Sequence, residues 1–314
     1  MSRGTNLWKK FEQNAGRPFG DAAIKYLTEF DGKDLSRQQY ALRAVLPYLE
    51  GVRIIDVNND ALRIYKEDRK AGRGAFDKPS MVGTINKELT TVTTVLNCAC
   101  RDWQWIPSVP RIRHVKGARR VSYALTWDEQ DRLFAYLPDR WARGAALFAV
   151  NTGVRKAELF GLKWKDMQEV PTLDTFVFIL TDTKNGKDRA VICNSEARKS
   201  VDSQRDNGSL FVFPSASGRT RGRMVTKSNR VWRDAWEMAN LPSDPLIRKG
   251  IHNCRHTYGH RLRSCDVPEE DRDALLGHNK ANLSQHYAAP ALERLTEMSE
   301  RVTERKDTVV LRGY

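Results

Sequence analysis

The chain has 314 residues, a length that favours two domains over one, and its 40% hydrophobic and 29% charged content fits a soluble globular protein. No apolar run approaches the roughly 18 residues of a membrane helix, and the polar start MSRGTNLWKKFEQNAGRPFG lacks the apolar core of a signal peptide. The five cysteines, Cys98, Cys100, Cys193, Cys254 and Cys265, are odd in number and scattered, which excludes a disulfide framework; a cytoplasmic protein with reduced, mostly buried thiols is expected.

In chain order, DAAIKYLTEF carries Ala23, Ile24, Leu27 and Phe30 at helical spacing, and RQQYALRAVLPYL does so with Tyr40, Leu42, Val45 and Leu46. NDALRIYKEDRKAG predicts a third helix ending at a glycine. Thr84 can cap a long fourth helix, TINKELTTVTTVLNCACRDW, with Ile85, Leu89, Val92, Leu96 and Ala99 on one face. Residues 1–20 are a short N-terminal segment, 21–106 a small helical domain, and 107–123 a linker in which two prolines and a glycine break the periodicity.

Order resumes at Leu125. Thr126 and Glu129 form a capping box ahead of a helix in LTWDEQDRLFAYL; AALFAVNTG gives a second helix ending at Gly153, and RKAELFGL starts another. TFVFILTDTKNGKDRAVICN predicts a β-hairpin around Asn185-Gly186, which a short strand in LKWKDM could join. Helices follow from Asn194, in VTKSNRVWRDAWEMANL, in VPEEDRDALLGH and in the polar APALERLTEMSERVTE. Residues 124–300 thus form a second, α+β domain, and 301–314 a tail.

Charge is the strongest bulk signal: 53 Lys+Arg oppose 39 Asp+Glu, a formal +14, with pI ≈ 9.7. This predicts a polyanionic partner, bound by neutralising phosphates. The charge is clustered. Arg111, Arg113, Lys116, Arg119 and Arg120 lie in the linker without an acid, and Arg219, Arg221 and Arg223 open a second acid-free stretch reaching Arg233. Both stretches are candidate nucleic-acid contacts.

Three segments could carry chemistry. In NTGVRKAELFGLKW, Arg155 begins a helix, with Glu158 three residues on; the pair is either a phosphate fork held by a carboxylate or a structural ion pair. In IHNCRHTYGHRL, His252 and Arg255 share a helical face. A zinc site is disfavoured there, because HExxH is absent and Arg255 would repel a cation. In LLGHNKANLSQHYAAP, Gly277-His278 ends a helix and Tyr287 follows nine residues later.

Arg155 in TGVRKAELFGLKW, a hairpin lysine, His252-x-x-Arg255-His256-Thr257, Leu276-Gly277-His278 and then Tyr287 resemble, in order and spacing, the tyrosine recombinase (phage integrase) family. VFPS at Val212–Ser215 looks like that family's connector. Two departures stand: Asn253-Cys254 replaces the usual acidic–leucine pair before the arginine, and Leu283-Ser284 stands where threonines are common. The resemblance spans the chain and implies a mainly α protein of two domains: a helical core-binding domain, then an α+β catalytic domain with a small antiparallel sheet. The family's additional N-terminal arm-binding domain is expected to be missing or vestigial.

The resemblance implies Tyr287 as nucleophile, Arg155 and Arg255 as the phosphate clamp, His252 and His278 as proton-handling or phosphate-binding groups, and Lys184 as general acid, with Lys187 the runner-up. Glu158 would support Arg155 or a lysine; His260 and His286 have no matching role. It further implies strand exchange through a 3′-phosphotyrosine with no cofactor and no metal. Double-stranded DNA is the expected partner, bound by a homotetramer on two sites, with room for accessory directionality or DNA-bending proteins. The polar helix and tail after Tyr287 resemble the segment that docks on a neighbouring protomer. Integration and excision of a phage or genomic island is the first reading. The alternatives are a chromosome-dimer-resolving recombinase, a type IB topoisomerase-like enzyme, and a non-catalytic DNA-binding protein.

Overall fold

The computed structural model describes residues 14–118, 120–181, 188–215, 221–225, 229–247, 249–278 and 291–305, with Asp139 and Asn229 described by backbone alone. The chain divides between residues 119 and 120 into two compact units.

The first unit is helical: α1 (Phe19–Thr28), α2 (Leu35–Val45), α3 (Arg63–Ala71) and α4 (Val82–Arg101). The predicted face of α4, Ile85, Leu89, Val92, Leu96 and Ala99, is fully buried and joins Phe19, Leu42, Leu62 and Tyr65 in one core. Its threonines are accommodated because Thr90, Thr93 and Thr94 donate their hydroxyls to carbonyls one turn back. Thr84 does not cap this helix. Helical backbone begins at Val82 with no side-chain cap, and Thr84 already donates its N–H to the Met81 carbonyl. Glu88, 3% exposed, accepts two bonds from Arg69 and one from the Tyr65 hydroxyl.

The segment expected as a linker lies along this unit as far as Val115. The Asn59 amide donates to the Arg111 carbonyl and accepts from Arg113 N–H, both at 2.8 Å. The Asn86 amide does the same at Val115, at 3.0 and 2.8 Å. Val109, Ile112 and Val115 thereby pack against the core, while Arg111, Arg113 and Lys116 remain exposed.

The second unit contains α5 (Trp127–Ala135), α6 (Asp139–Thr152), α7 (Lys156–Gly161), β1 (Met167–Val170), β2 (Thr175–Leu180), β3 (Arg189–Ile192), α8 (Ser195–Asp202), α9 (Asn229–Met238), α10 (His252–Ser264), α11 (Glu269–Leu276) and α12 (Leu292–Glu300). The Thr126–Glu129 capping box is present. The sheet is antiparallel in the order β1-β2-β3, with Leu180 opposite Arg189. The first strand is displaced from the expected LKWKDM: Trp164–Asp166 form a single 3₁₀ turn and pairing begins only at Met167.

The unbroken apolar run of β2 follows from burial on both faces. Phe176, Phe178 and Leu180 enter the larger core with α6 and α9. Val177 enters a second core built from Tyr258, Leu262, Leu275, Leu276, Met298 and Val302, with Ile179 packed against it. One hydrogen bond fastens the start of α5 to α10: the Thr257 hydroxyl accepts from Leu125 N–H, and it donates in turn to the Asn253 carbonyl one turn back in its own helix.

Helix α12 packs within its own unit rather than standing free as a docking arm. Met298 and Val302 are buried, the Asn194 amide donates to the Ser299 carbonyl, and Arg294 pairs with buried Asp271. Residues 306–314 lie outside the described residues. Among the described residues, no helix is long and apolar enough to cross a membrane.

Removing one partner from a buried ion pair strands the other charge. Arg69→Ala should therefore cost the first unit about 3–5 kcal/mol, measured by urea unfolding of the full chain.

Candidate active site

The site is organised around the carbonyl end of α11. Gly277 closes that helix at φ +62, a backbone conformation most open to glycine. Gly153 closes α6 in the same way at φ +63. A Cβ on Gly153 would lie 2.5 Å from the Tyr258 ring and 2.8 Å from Leu276. Both helices are thus stopped where their last carbonyls face inward.

Arginines take those carbonyls. Arg255, on α10 and 7% exposed, donates to the Gly153 and Leu276 carbonyls. Arg155 immediately precedes α7 and donates to the Gly277 carbonyl at 2.8 Å. Burial first, then repulsion from Arg155 and Arg189, lowers the Arg255 guanidinium to about 10, so it stays cationic at neutral pH. Each guanidinium carries five N–H donors, and these bonds leave donors on both for an anion.

One carboxylate balances the cluster. Glu158, 11% exposed in its side chain, accepts from Arg155 N–H at 2.8 Å and from its guanidinium at 2.7 Å. It also accepts from Arg189 at 3.0 Å. Burial pushes the Glu158 carboxyl up, but Arg189 and Arg155 outweigh this and hold it below its ordinary value. The Glu158–Arg155 contact is the one that either reading of the pair requires. At the start of α7 the Arg155 N–H is thus taken by Glu158.

His278 follows Gly277. Its backbone N–H donates to the Asp273 carbonyl, and its Nδ1 lies 3.2 Å from the Asp273 carboxylate. Burial, with Arg255 and Arg155, brings its pKa below the ordinary 6.5 despite Asp273. A neutral imidazole able to accept a proton results. His252 begins α10 one turn before Arg255, with its ring edge-to-face on His256 at 4.8 Å. Among the described residues no three His, Cys, Asp or Glu side chains converge as metal ligands.

The structure therefore brings Arg155, Glu158, Arg255 and His278 together, with His252 on the same helix as Arg255. Tyr287, His286, Lys184, Lys187, Arg119 and Arg219 lie outside the described residues. Arg111, Arg113, Lys116, Arg120, Arg221 and Arg223 are exposed. Sequence reasoning missed Arg189. Its one local signal is a lone charge opening the otherwise apolar strand RAVI.

Residues 124–294 match the phage integrase family. Over 235 residues the chain is 23% identical to the integrase of Salmonella phage P22, covering 72% of this chain. The chain spans 58% of that relative's length. Its fold is similar to lambda integrase, in a tetramer bound to a Holliday junction, with a TM-score of 0.66 at 17% identity over 86% of this chain and 80% of that one. It is also similar to the Tn1549 transposon integrase in complex with circular intermediate DNA, with a TM-score of 0.64 at 17% identity over 88% and 96%.

Asp273 raises the His278 pKa, so Asp273→Asn should move its titration midpoint further down, read from imidazole C–H shifts by NMR. The sign for stability follows from linkage: a folded-state pKa below 6.5 means that the unfolded chain binds the proton more tightly. His278 thus subtracts from stability as pH falls through that value. Gly277→Ala should cost about 1–2 kcal/mol from left-handed backbone alone. It should cost more in total, because the new Cβ would lie 2.7 Å from Arg189 Cδ; thermal melting measures this.

Proposed function

Because the chain belongs to the phage integrase family, we propose that it is a site-specific DNA recombinase that cuts and rejoins strands through a 3′-phosphotyrosyl intermediate. The observation that carries this reading is the convergence of Arg155, Arg255 and His278 on one helix end, nine residues before Tyr287.

A phosphodiester repels nucleophiles, and attack builds further charge on its non-bridging oxygens. Two planar, permanently charged guanidinium groups suit that developing charge. The Tyr287 oxygen attacks phosphorus and the bond to the 5′ oxygen breaks. The phenol, with an ordinary pKa of about 10, needs help to lose its proton; neutral His278 is a suitable acceptor, and His252 a second phosphate or proton contact. Lys184, which lies between β2 and β3 in the sequence, supplies the proton that the leaving 5′ oxygen takes up, with Lys187 as the alternative. The phosphodiester energy is kept in the phosphotyrosine, so a 5′ hydroxyl of another strand reverses the step without ATP.

Residues 21–106 serve in this reading as a core-type DNA-binding domain and 124–300 as the catalytic domain. Arg111, Arg113, Lys116, Arg119 and Arg120, with Arg219, Arg221 and Arg223, neutralise backbone phosphates. Exchange between two duplexes needs four cuts, hence a homotetramer on two sites acting on DNA in the cytoplasm. The role is integration and excision of a phage or mobile element, with accessory directionality or bending proteins as further partners.

The test begins by incubating the full chain with fragmented genomic DNA of its source organism and sequencing any strand covalently attached. Wild type should form a covalent band on a denaturing gel, with Tyr287 at the junction. Tyr287→Phe should abolish the band and leave duplex binding nearly unchanged. A wild-type chain that attaches to no DNA would sink the proposal, and supercoil relaxation without exchange between marked duplexes would favour a topoisomerase.

A further inference from the structure

The mechanism above gives no role to Arg189, yet Arg189 is built into the centre of the site. Its side chain is 11% exposed. One nitrogen donates to Glu158 at 3.0 Å, the other reaches the Leu275 carbonyl at 3.5 Å, and its Nε is buried without a partner among the described residues. It also fills the space that a side chain at position 277 would need. Three successive carbonyls at the end of α11, Leu275, Leu276 and Gly277, therefore face Arg189, Arg255 and Arg155 in turn.

Stability alone accounts poorly for this. Burying a guanidinium with one donor unsatisfied is costly, and an apolar side chain of similar volume is often as stable or more so. What Arg189 supplies is geometry. Glu158 has two oxygens and two guanidinium partners, so Arg189 on one side fixes the direction from which the carboxylate meets Arg155 on the other. The same side chain ties β3 to the turn carrying His278.

We propose that Arg189 is a positioning residue for strand cleavage: through Glu158 it orients the Arg155 guanidinium. The inference rests on the recombinase reading.

The test uses the full chain and the duplex recovered with wild type, nicked just 3′ of the scissile phosphate so that the short 5′-hydroxyl product is lost and the covalent complex accumulates. Arg189→Gln should slow single-turnover complex formation about 10- to 100-fold, the rate equivalent of one charge-assisted hydrogen bond, with duplex affinity little changed. Two readouts separate positioning from simple damage. A methylphosphonate at the scissile position carries no charge for Arg155 to offset, so the defect should shrink on that duplex. In a Glu158→Gln background, adding Arg189→Gln should cost no more than about twofold, near the additivity error of such cycles. Arg189→Lys, which keeps a cation facing Glu158, should recover part of the rate and serves if the glutamine variant does not fold. An unchanged rate in Arg189→Gln, an equal defect on both duplexes, or full additivity with Glu158→Gln would each overturn the proposal. Failure of wild type to attach to any DNA would instead refute the recombinase reading itself.

Discussion

Three guanidinium groups share the carbonyl end of one short helix, and much of the second unit is arranged to keep them there. Like charges at this separation repel, and Arg255 and Arg189 are both lowered by burial and by their neighbours. The compensation is a single carboxylate, Glu158, and the negative ends of two helix dipoles, α6 and α11. Both helices must therefore stop at fixed points, and both stop at a glycine with positive φ. The cluster keeps a net positive charge from this balance: enough partners to hold the cations in place, too few to neutralise them.

The sheet transmits that arrangement. Because β2 is covered on both faces, it cannot shift without disturbing two cores, and β3, paired to it, carries Arg189 into the cluster. On the far side Tyr258 is buried, with its hydroxyl against that of Ser299. The packing beneath the cradle therefore reaches α12, the helix that follows the segment containing Tyr287.

Local chemistry was legible in the sequence where it is set by near neighbours. The Thr126–Glu129 capping box, the apolar face of α4 and the Arg155–Glu158 contact each depend on residues three or four apart. Order along the chain was legible too, since Arg155, His252, Arg255, His278 and Tyr287 follow a family's spacing. Contacts between distant segments were not. Arg189 meets Glu158 and Leu275 across 31 and 86 positions, and nothing in RAVI announces either partner. Asn59 and Asn86 read as ordinary polar helix-end residues, yet each holds part of an irregular stretch some 30 to 50 positions away, which composition alone reads as free linker. Thr84 has a good capping side chain, but the chain turns helical two residues earlier and leaves it no bare N–H to cap.

The anchoring of α12 bears on Tyr287 in a different currency, that of effective concentration. His278 is held by Asp273 at one end, and Ala291 leads into a helix fixed by Arg294, Ser299 and Val302 at the other. Whatever path residues 279–290 take between these points, nine residues reach at most about 30 Å from His278. A phenol tethered that closely to the arginine cluster of its own chain meets it at roughly millimolar local concentration. On the recombinase reading proposed above, a tyrosine offered by a second molecule would compete only if assembly brought it equally near, so the fixed helix would favour the tyrosine of the same chain.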